Sequence, residues 1–188
     1  MDNCERLTRV IDALEVHNVS FMLVGSLSSS YYGYPRATKD ADLVVEWGGH
    51  RVSEIWAFLG PPFRLKPQVS FETNTGTVRN IIYLDDSSFQ IELFRLSVDA
   101  HDQERSRRKQ RLNAPDLDRM VNLPTAEDVI ITKLRWAISS GRGKDRDDAR
   151  DVLAVQGDAL DFVNIENWCG QHGTLELLHE IRCSIPPI

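Results

Sequence analysis

At 188 residues the chain is long enough for one domain with a full core, or one domain with a small appendage. Its 41% hydrophobic and 27% charged content is that of an ordinary water-soluble globular protein. A net charge of −6 argues against a surface built for broad wrapping of nucleic acid, though it leaves room for a local basic patch. The three cysteines, Cys4, Cys169 and Cys183, lack CxxC spacing, which points to neither a zinc site nor a disulfide framework and fits a reducing compartment. The opening MDNCERLTRV lacks the apolar core of a signal peptide. No apolar run approaches the roughly 20 residues needed to cross a bilayer. The expectation is a cytoplasmic protein with no membrane partner.

In chain order, Leu7, Val10, Ile11 and Leu14 carry the i, i+3, i+4, i+7 spacing of an amphipathic helix over 4–17. SFMLVG (20–25) reads as a buried strand ended by glycine. SLSSSYYGY then reads as a short helix entered at Ser26, and YPRATK as a loop, because Pro35 disfavours helix at the residue before it. DADLVVE is a second strand. A helix over about 50–59 places Val52, Ile55, Trp56 and Leu59 on one face before GPPF breaks it. Three strand-like runs follow, at 68–73, 78–84 and 89–94. Their separators have turn chemistry, so an antiparallel meander is predicted.

Residues 101–119 are polar and strongly basic. Two helices near 125–139 and 144–156, joined by SGRGK, and one or two short helices around Trp168 and 175–181 complete the chain. The fold class predicted is α+β: a mixed sheet flanked by helices, with a small helical C-terminal part. The expected division is a core over 1–122 and a helical region over 123–188 packed on it.

The chemistry gathers around FMLVGSLSSSYYGYPRATKDADLVVE, which sets Asp40 and Asp42 one residue apart at the head of an apolar strand. Residues two apart on a strand point to the same face, so the two carboxylates project together while Ala41 and Leu43 pack the other way. Adjacent carboxylates repel unless a cation neutralises them or one takes a proton. Hard divalent ions such as Mg²⁺ prefer oxygen donors and bind through one or two carboxylates plus substrate phosphates. Glu92, alternating with Ile91 and Leu93 in FQIELF, is the candidate third ligand. Upstream, Gly25 lets the backbone turn sharply. Ser26 opens a helix whose free N–H groups and dipole favour phosphate. Asp40, Asp42 and Glu92 are thus expected to hold one or two Mg²⁺ ions for an in-line displacement at phosphorus.

A strand ending in Gly-Ser, a short helix and a strand opening with DxD resembles the nucleotidyltransferase superfamily that includes DNA polymerase β and the aminoglycoside nucleotidyltransferases. The segment RATKDADLVV resembles most the AbiEii-type minimal nucleotidyltransferases, a branch that includes toxins of toxin–antitoxin pairs. That branch carries a downstream helical lysine and a later KDxxD, matched here by Lys133 in TAEDVIITKLRWA and by Lys144, Asp145 and Asp148 in GRGKDRDDARDVL. The resemblance spans about 21–153. It implies metal-binding aspartates at Asp40 and Asp42, nucleotide-phosphate binding at Gly25 and Ser26, and a lysine near the triphosphate at Lys133. It also implies a late acidic motif at Asp145 or Asp148, a base for the acceptor hydroxyl. Glu92 departs from the aspartate that many relatives carry.

Other features have plainer readings beside the functional ones. Lys133 beside an apolar stripe fits a snorkelling lysine, and acids at the start of a helix are favoured by its dipole. Arg36 and Lys39 flank the DxD and either contact nucleotide phosphate or offset local negative charge. ERSRRKQR is either a solvated surface run or a strip for RNA phosphates. The five histidines show no metal-ligand spacing, and Trp136 and Trp168 read as core or interface residues.

Together these readings predict a Mg²⁺-dependent nucleotidyltransferase. It would move a nucleoside monophosphate from an NTP to a hydroxyl on RNA, including tRNA, or on protein, as a toxin with a cognate antitoxin would. The alternatives are an aminoglycoside-type antibiotic nucleotidyltransferase and a non-catalytic nucleotide-binding or protein-interaction module of the same fold.

Overall fold

The computed structural model describes residues 1–186. Helix α1 (Asn3–Val16) starts at a capping box in which Asp2 and Glu5 each accept the other's backbone N–H at 2.8 Å. Its periodic face, Leu7, Val10, Ile11 and Leu14, is fully buried. β1 (Ser20–Val24) runs straight into α2 (Gly25–Tyr32), and β2 (Asp40–Glu46) returns antiparallel to β1 with Val24 opposite Asp42. After α3 (Val52–Leu59) come β3 (Arg64–Leu65), β4 (Ser70–Phe71), β5 (Val78–Tyr83) and β6 (Gln90–Arg95).

The main sheet has the order β1-β2-β6-β5-β3, with β4 also pairing β5. The predicted meander is present in shortened form: β4, β5 and β6 pair antiparallel, but β4 holds only two residues. The pairing that makes the sheet mixed is β2 with β6, which is parallel and sets Asp42 opposite Glu92. One sheet face packs on α1 and α3 through Ala41, Leu43, Val45, Ile91 and Leu93, with Ile55 and Leu59 opposite. The other face carries only a small apolar group, Met22, Val24 and Val44 with Phe94 and Leu96. That face is where the carboxylates emerge.

Residues 100–123 differ from the sequence reading, which assigned them no elements. They form α4 (Ala100–Arg108) and a two-stranded sheet of β7 (Gln110–Ala114) and β8 (Arg119–Leu123). The helix was hidden because its buried face is charged: His101, Asp102 and Arg105 are all enclosed. The hairpin was hidden because its polar residues bind α1, with Arg119 reaching Asp12 and Glu15 at 2.7 Å each. α5 (Ala126–Ser140), α6 (Gly143–Gln156), α7 (Phe162–His172) and α8 (Leu175–Ser184) then build a second apolar cluster. Tyr32 of α2 belongs to this cluster and donates its hydroxyl to the Pro124 carbonyl at 2.8 Å. Among the described residues no helix is long and apolar enough to cross a membrane.

Candidate active site

A cleft of about 460 Å³ lies over the second sheet face, between β2, β5 and β6 on one side and α4 and α5 on the other. Asp40, Asp42 and Glu92 line it, with Gly25 and Ser26 at the start of α2 and Lys133, Lys144 and Asp145 from the helical side. Lys39, Arg36 and Asp148 do not line it. Lys39 is exposed and gives its carbonyl to the Gln90 N–H at 3.2 Å. Exposed Arg36 and buried Asp148 lie outside this lining but are bonded to residues that belong to it.

Gly25 has φ +64°, and a Cβ there would fall 1.9 Å from Asp42 Oδ2. The β1–β2 register therefore presses the Asp42 carboxylate against the glycine backbone, which explains in one contact why a Gly opens the helix and a DxD heads the next strand. No hydrogen bond from the described residues reaches that carboxylate. Burial, reinforced by Asp40 and Glu92, pushes it up to about 7, and the more distant Lys133 and Lys144 only partly oppose this. Asp40 is better provided for, accepting from the Thr38 hydroxyl at 2.7 Å. Glu92 accepts from Arg79 at 2.8 Å.

The chemistry of these residues suits a divalent ion in part. The donors are hard oxygens, and the unbonded, mutually repelling Asp42 carboxylate is a site that a cation would relieve. The cradle is nevertheless not pre-assembled. Among the described residues no three His, Cys, Asp or Glu are grouped to hold an ion, and Glu92 is committed to Arg79. Asp40 and Asp42 suit the ion as they stand. Glu92 joins them only by exchanging its arginine partner.

The helical side holds a chain of ion pairs. Lys133, buried on α5, reaches Asp145 at 2.9 Å and Asp148 at 2.7 Å. Arg142 meets Asp145 at 3.0 Å, and Arg36 grips Asp148 through two hydrogen bonds of 2.8 Å. Burial alone would raise Asp148, but Arg36 and Lys133 outweigh it and hold the carboxyl below its usual range. An acid so held is a poor proton acceptor. Asp145 does sit in the first turn of α6, where the dipole favours an acid, and both aspartates are in addition buried and paired across elements. Lys133→Met should destabilise the fold by about 2–4 kcal/mol in urea unfolding, because it strips a cation from two buried carboxylates. Adding Asp145→Asn should recover part of that loss.

The basic run is split, with Arg105, Arg108 and Lys109 turned inward while Arg107 and Arg111 stay exposed. Arg105 pairs with Asp102 at 3.0 Å, and Arg108 holds Asp128 and the Asn164 amide oxygen. Lys109 reaches the Ser20 hydroxyl at 3.1 Å, and Arg111 reaches Glu15 at 3.3 Å. His101 is buried against Asp128 at 3.1 Å and tilts onto Trp168. Sequence reasoning missed Arg79, Arg142 and the cleft position of Trp136, over which Arg142 lies at 5.0 Å. The signal available for Arg79 was a lone charge in the strand VRNIIYL, one strand away from Glu92.

No protein-family model matches the chain, and no curated protein matches it in sequence. Solved structures do match in fold. The solution structure of the antibiotic-resistance factor ANT(2'')-Ia aligns with a TM-score of 0.60 at 15% identity, covering 94% of this chain and 96% of that one. The crystal structure of ANT(2'')-Ia in complex with adenylyl-2''-tobramycin gives 0.58 at 14%, covering 90% and 96%. A Helicobacter pylori structure described as a candidate nucleotidyltransferase gives 0.53 at 14%, covering 90% and 75%. The chain has the nucleotidyltransferase fold. That fold, with its mixed sheet flanked by helices, is the architecture expected from the sequence, whereas the likeness to the AbiEii branch rests on the sequence motifs alone.

Proposed function

We propose that the protein transfers a nucleoside monophosphate from an NTP to an acceptor hydroxyl. The observation that carries this reading is the parallel register of Asp42 with Glu92, which brings acids from two strands to one cleft beside Gly25 and Ser26. In the reaction the acceptor oxygen bonds to the α-phosphorus, the bond from that phosphorus to the bridging oxygen breaks, and pyrophosphate departs. The N–H groups at the start of α2 and the Ser26 hydroxyl bind phosphate oxygens; Val24, at the N-cap, offers no side chain to compete for them. Asp40 and Asp42 would hold Mg²⁺, with Glu92 as the third carboxylate. Bound there, the ion would neutralise charge developing on the phosphates.

Glu92, once released by Arg79, takes the hydroxyl proton. Asp145 and Asp148 act by fixing Lys133 and Arg36, a role that suits their burial and their ion pairs better than proton transfer. Lys133, which lines the cleft, supplies positive potential to the triphosphate. A boundary near 122–123 is supported by the apolar clusters, the first ending at Leu123 and the second, apart from Tyr32, starting at Ala126.

Two acceptor readings each have an observation in favour. Outside the triad, the cleft acids are already engaged: Glu72 caps its own turn, Asp102 pairs with Arg105, and Asp145 pairs with Lys133. Exposed Arg95 and Lys144 face the same space. This favours a neutral or anionic acceptor, such as the RNA or protein hydroxyl that a toxin would modify, over a polyamine. The aminoglycoside reading draws on the near full-length match to ANT(2'')-Ia, a protein seen with adenylyl-2''-tobramycin.

Incubation with each labelled NTP, Mg²⁺ and separate pools of RNA, protein and aminoglycosides decides the acceptor. One pool should take up label with the wild type and none with Asp40→Ala. Stabilisation by NTP and Mg²⁺ without label transfer would favour a non-catalytic module, and no stabilisation at all would overturn the nucleotide reading.

A further inference from the structure

We propose that Arg36 is a positioning residue that aims the Ser26 hydroxyl at a nucleotide phosphate, acting through that hydroxyl and not by touching phosphate itself. The proposal rests on the reading of the cleft as a nucleotide site. Arg36 Nη2 donates to Ser26 Oγ at 2.7 Å, while its Nε and Nη2 donate to the two Asp148 oxygens at 2.8 Å each. A guanidinium has donors only, so the serine oxygen is the acceptor and its own proton must go elsewhere. Among the described residues nothing accepts that proton.

The contrast lies within the same helix. Ser28 and Ser29 turn their hydroxyls back onto the Gly25 carbonyl at 2.9 Å each, the usual resting place for a serine in a helix. Arg36 occupies the lone-pair side of Ser26 and leaves the proton directed outward. Ser26 is only 6% exposed and lines the cleft, so outward means into the cleft. An anionic oxygen at the start of α2 is the acceptor that completes this arrangement.

The guanidinium is itself held in place. Asp148 receives both Arg36 and Lys133, and Lys133 is tied in turn to Asp145. Thus α5 and α6 fix the orientation of a hydroxyl at the tip of α2. A lysine at position 36 would keep the charge and pair with Asp148, but it lacks the planar fork that reaches both partners.

The test is a double-mutant cycle read as NTP affinity, by calorimetric titration and by thermal shift, on the full chain with Mg²⁺. Ser26→Ala and Arg36→Lys should each weaken NTP binding by roughly tenfold, and the double variant should be no weaker than either single one. With an acceptor in hand, KM for NTP should rise while kcat changes by less than about threefold. Melting of the unliganded Arg36→Lys protein should stay near that of the wild type. Additive losses would show that Arg36 contacts the phosphates directly and would overturn the proposal, as would wild-type affinity in Arg36→Lys. A wild type that binds no NTP would remove the parent reading along with it, a result distinct from both.

Discussion

Asp42→Asn is expected to make the metal-free protein more stable at neutral pH while abolishing nucleotidyl transfer. The Asp42 carboxyl titrates near 7 in the fold against 3.8 in the reference state, so the folded chain holds a proton that the unfolded chain has released. Between those values the unfolded state binds fewer protons, and stability therefore falls as pH rises from about 4 to about 7. At about 1.4 kcal/mol per unit the full penalty is about 4 kcal/mol, and an asparagine, whose amide also needs partners, should recover about 2–3 kcal/mol of it.

The measurement is urea unfolding in chelator at pH 5, 7 and 8.5, comparing wild type with variant. The difference between them should be smallest at pH 5, grow up to pH 7 and level off by pH 8.5. A divalent ion should stabilise the wild type and not the variant. A variant less stable than wild type at every pH would mean that the carboxylate already has a partner. Transfer activity, by contrast, should drop by at least about a thousandfold, since the acid that anchors the proposed ion is gone.

Gly25→Ala is expected to be the most damaging small substitution in the chain. The position has φ +64°, which costs an alanine about 1–2 kcal/mol. The larger effect is steric: the new methyl would lie 1.9 Å from Asp42 Oδ2 and 2.8 Å from its Cγ. Either Asp42 leaves the cleft or β1 and β2 part, and a total loss of about 3–5 kcal/mol with loss of activity follows. The cause can be isolated. In Gly25→Ala/Asp42→Ala the obstructing atoms are removed except for a 3.0 Å contact with the Asp42 Cβ, so the double variant should be more stable than Gly25→Ala alone. If the two changes simply add, the contact is not the reason for the glycine.

Much of this architecture was legible because its elements bury regular apolar patterns. α1, β1, β2, α5 and α6 all carry such patterns and lie within a few residues of their predicted spans. The pairing of two acids on one strand face followed from the period of a strand, and a glutamate in an apolar strand pointed to a neighbour. What periodicity could not supply was the partner of β6. Turn chemistry predicts neighbours joined by short loops, so the antiparallel contact with β5 was visible, while the parallel contact with β2 depends on a segment returning from across the sheet. Nor could it find α4 and the hairpin after it, whose enclosed residues are charged and are satisfied by groups distant in sequence. The same holds for Lys133: a single buried lysine is ambiguous until Asp145 and Asp148 are seen on either side of it.

The ladder between β2 and β6 also determines when the protein acquires its acids as a group. Its strands are separated by the whole of 47–89, so they join only by a long-range closure, the kind of contact that comes slowly to a folding chain. That closure also forces like charges together and so proceeds against electrostatic resistance. Completion of the sheet and assembly of the carboxylates are one event. A nascent or partly unfolded molecule carries every acid in its covalent structure yet has no place to gather them, so the acidic cleft exists only in chains whose topology is finished.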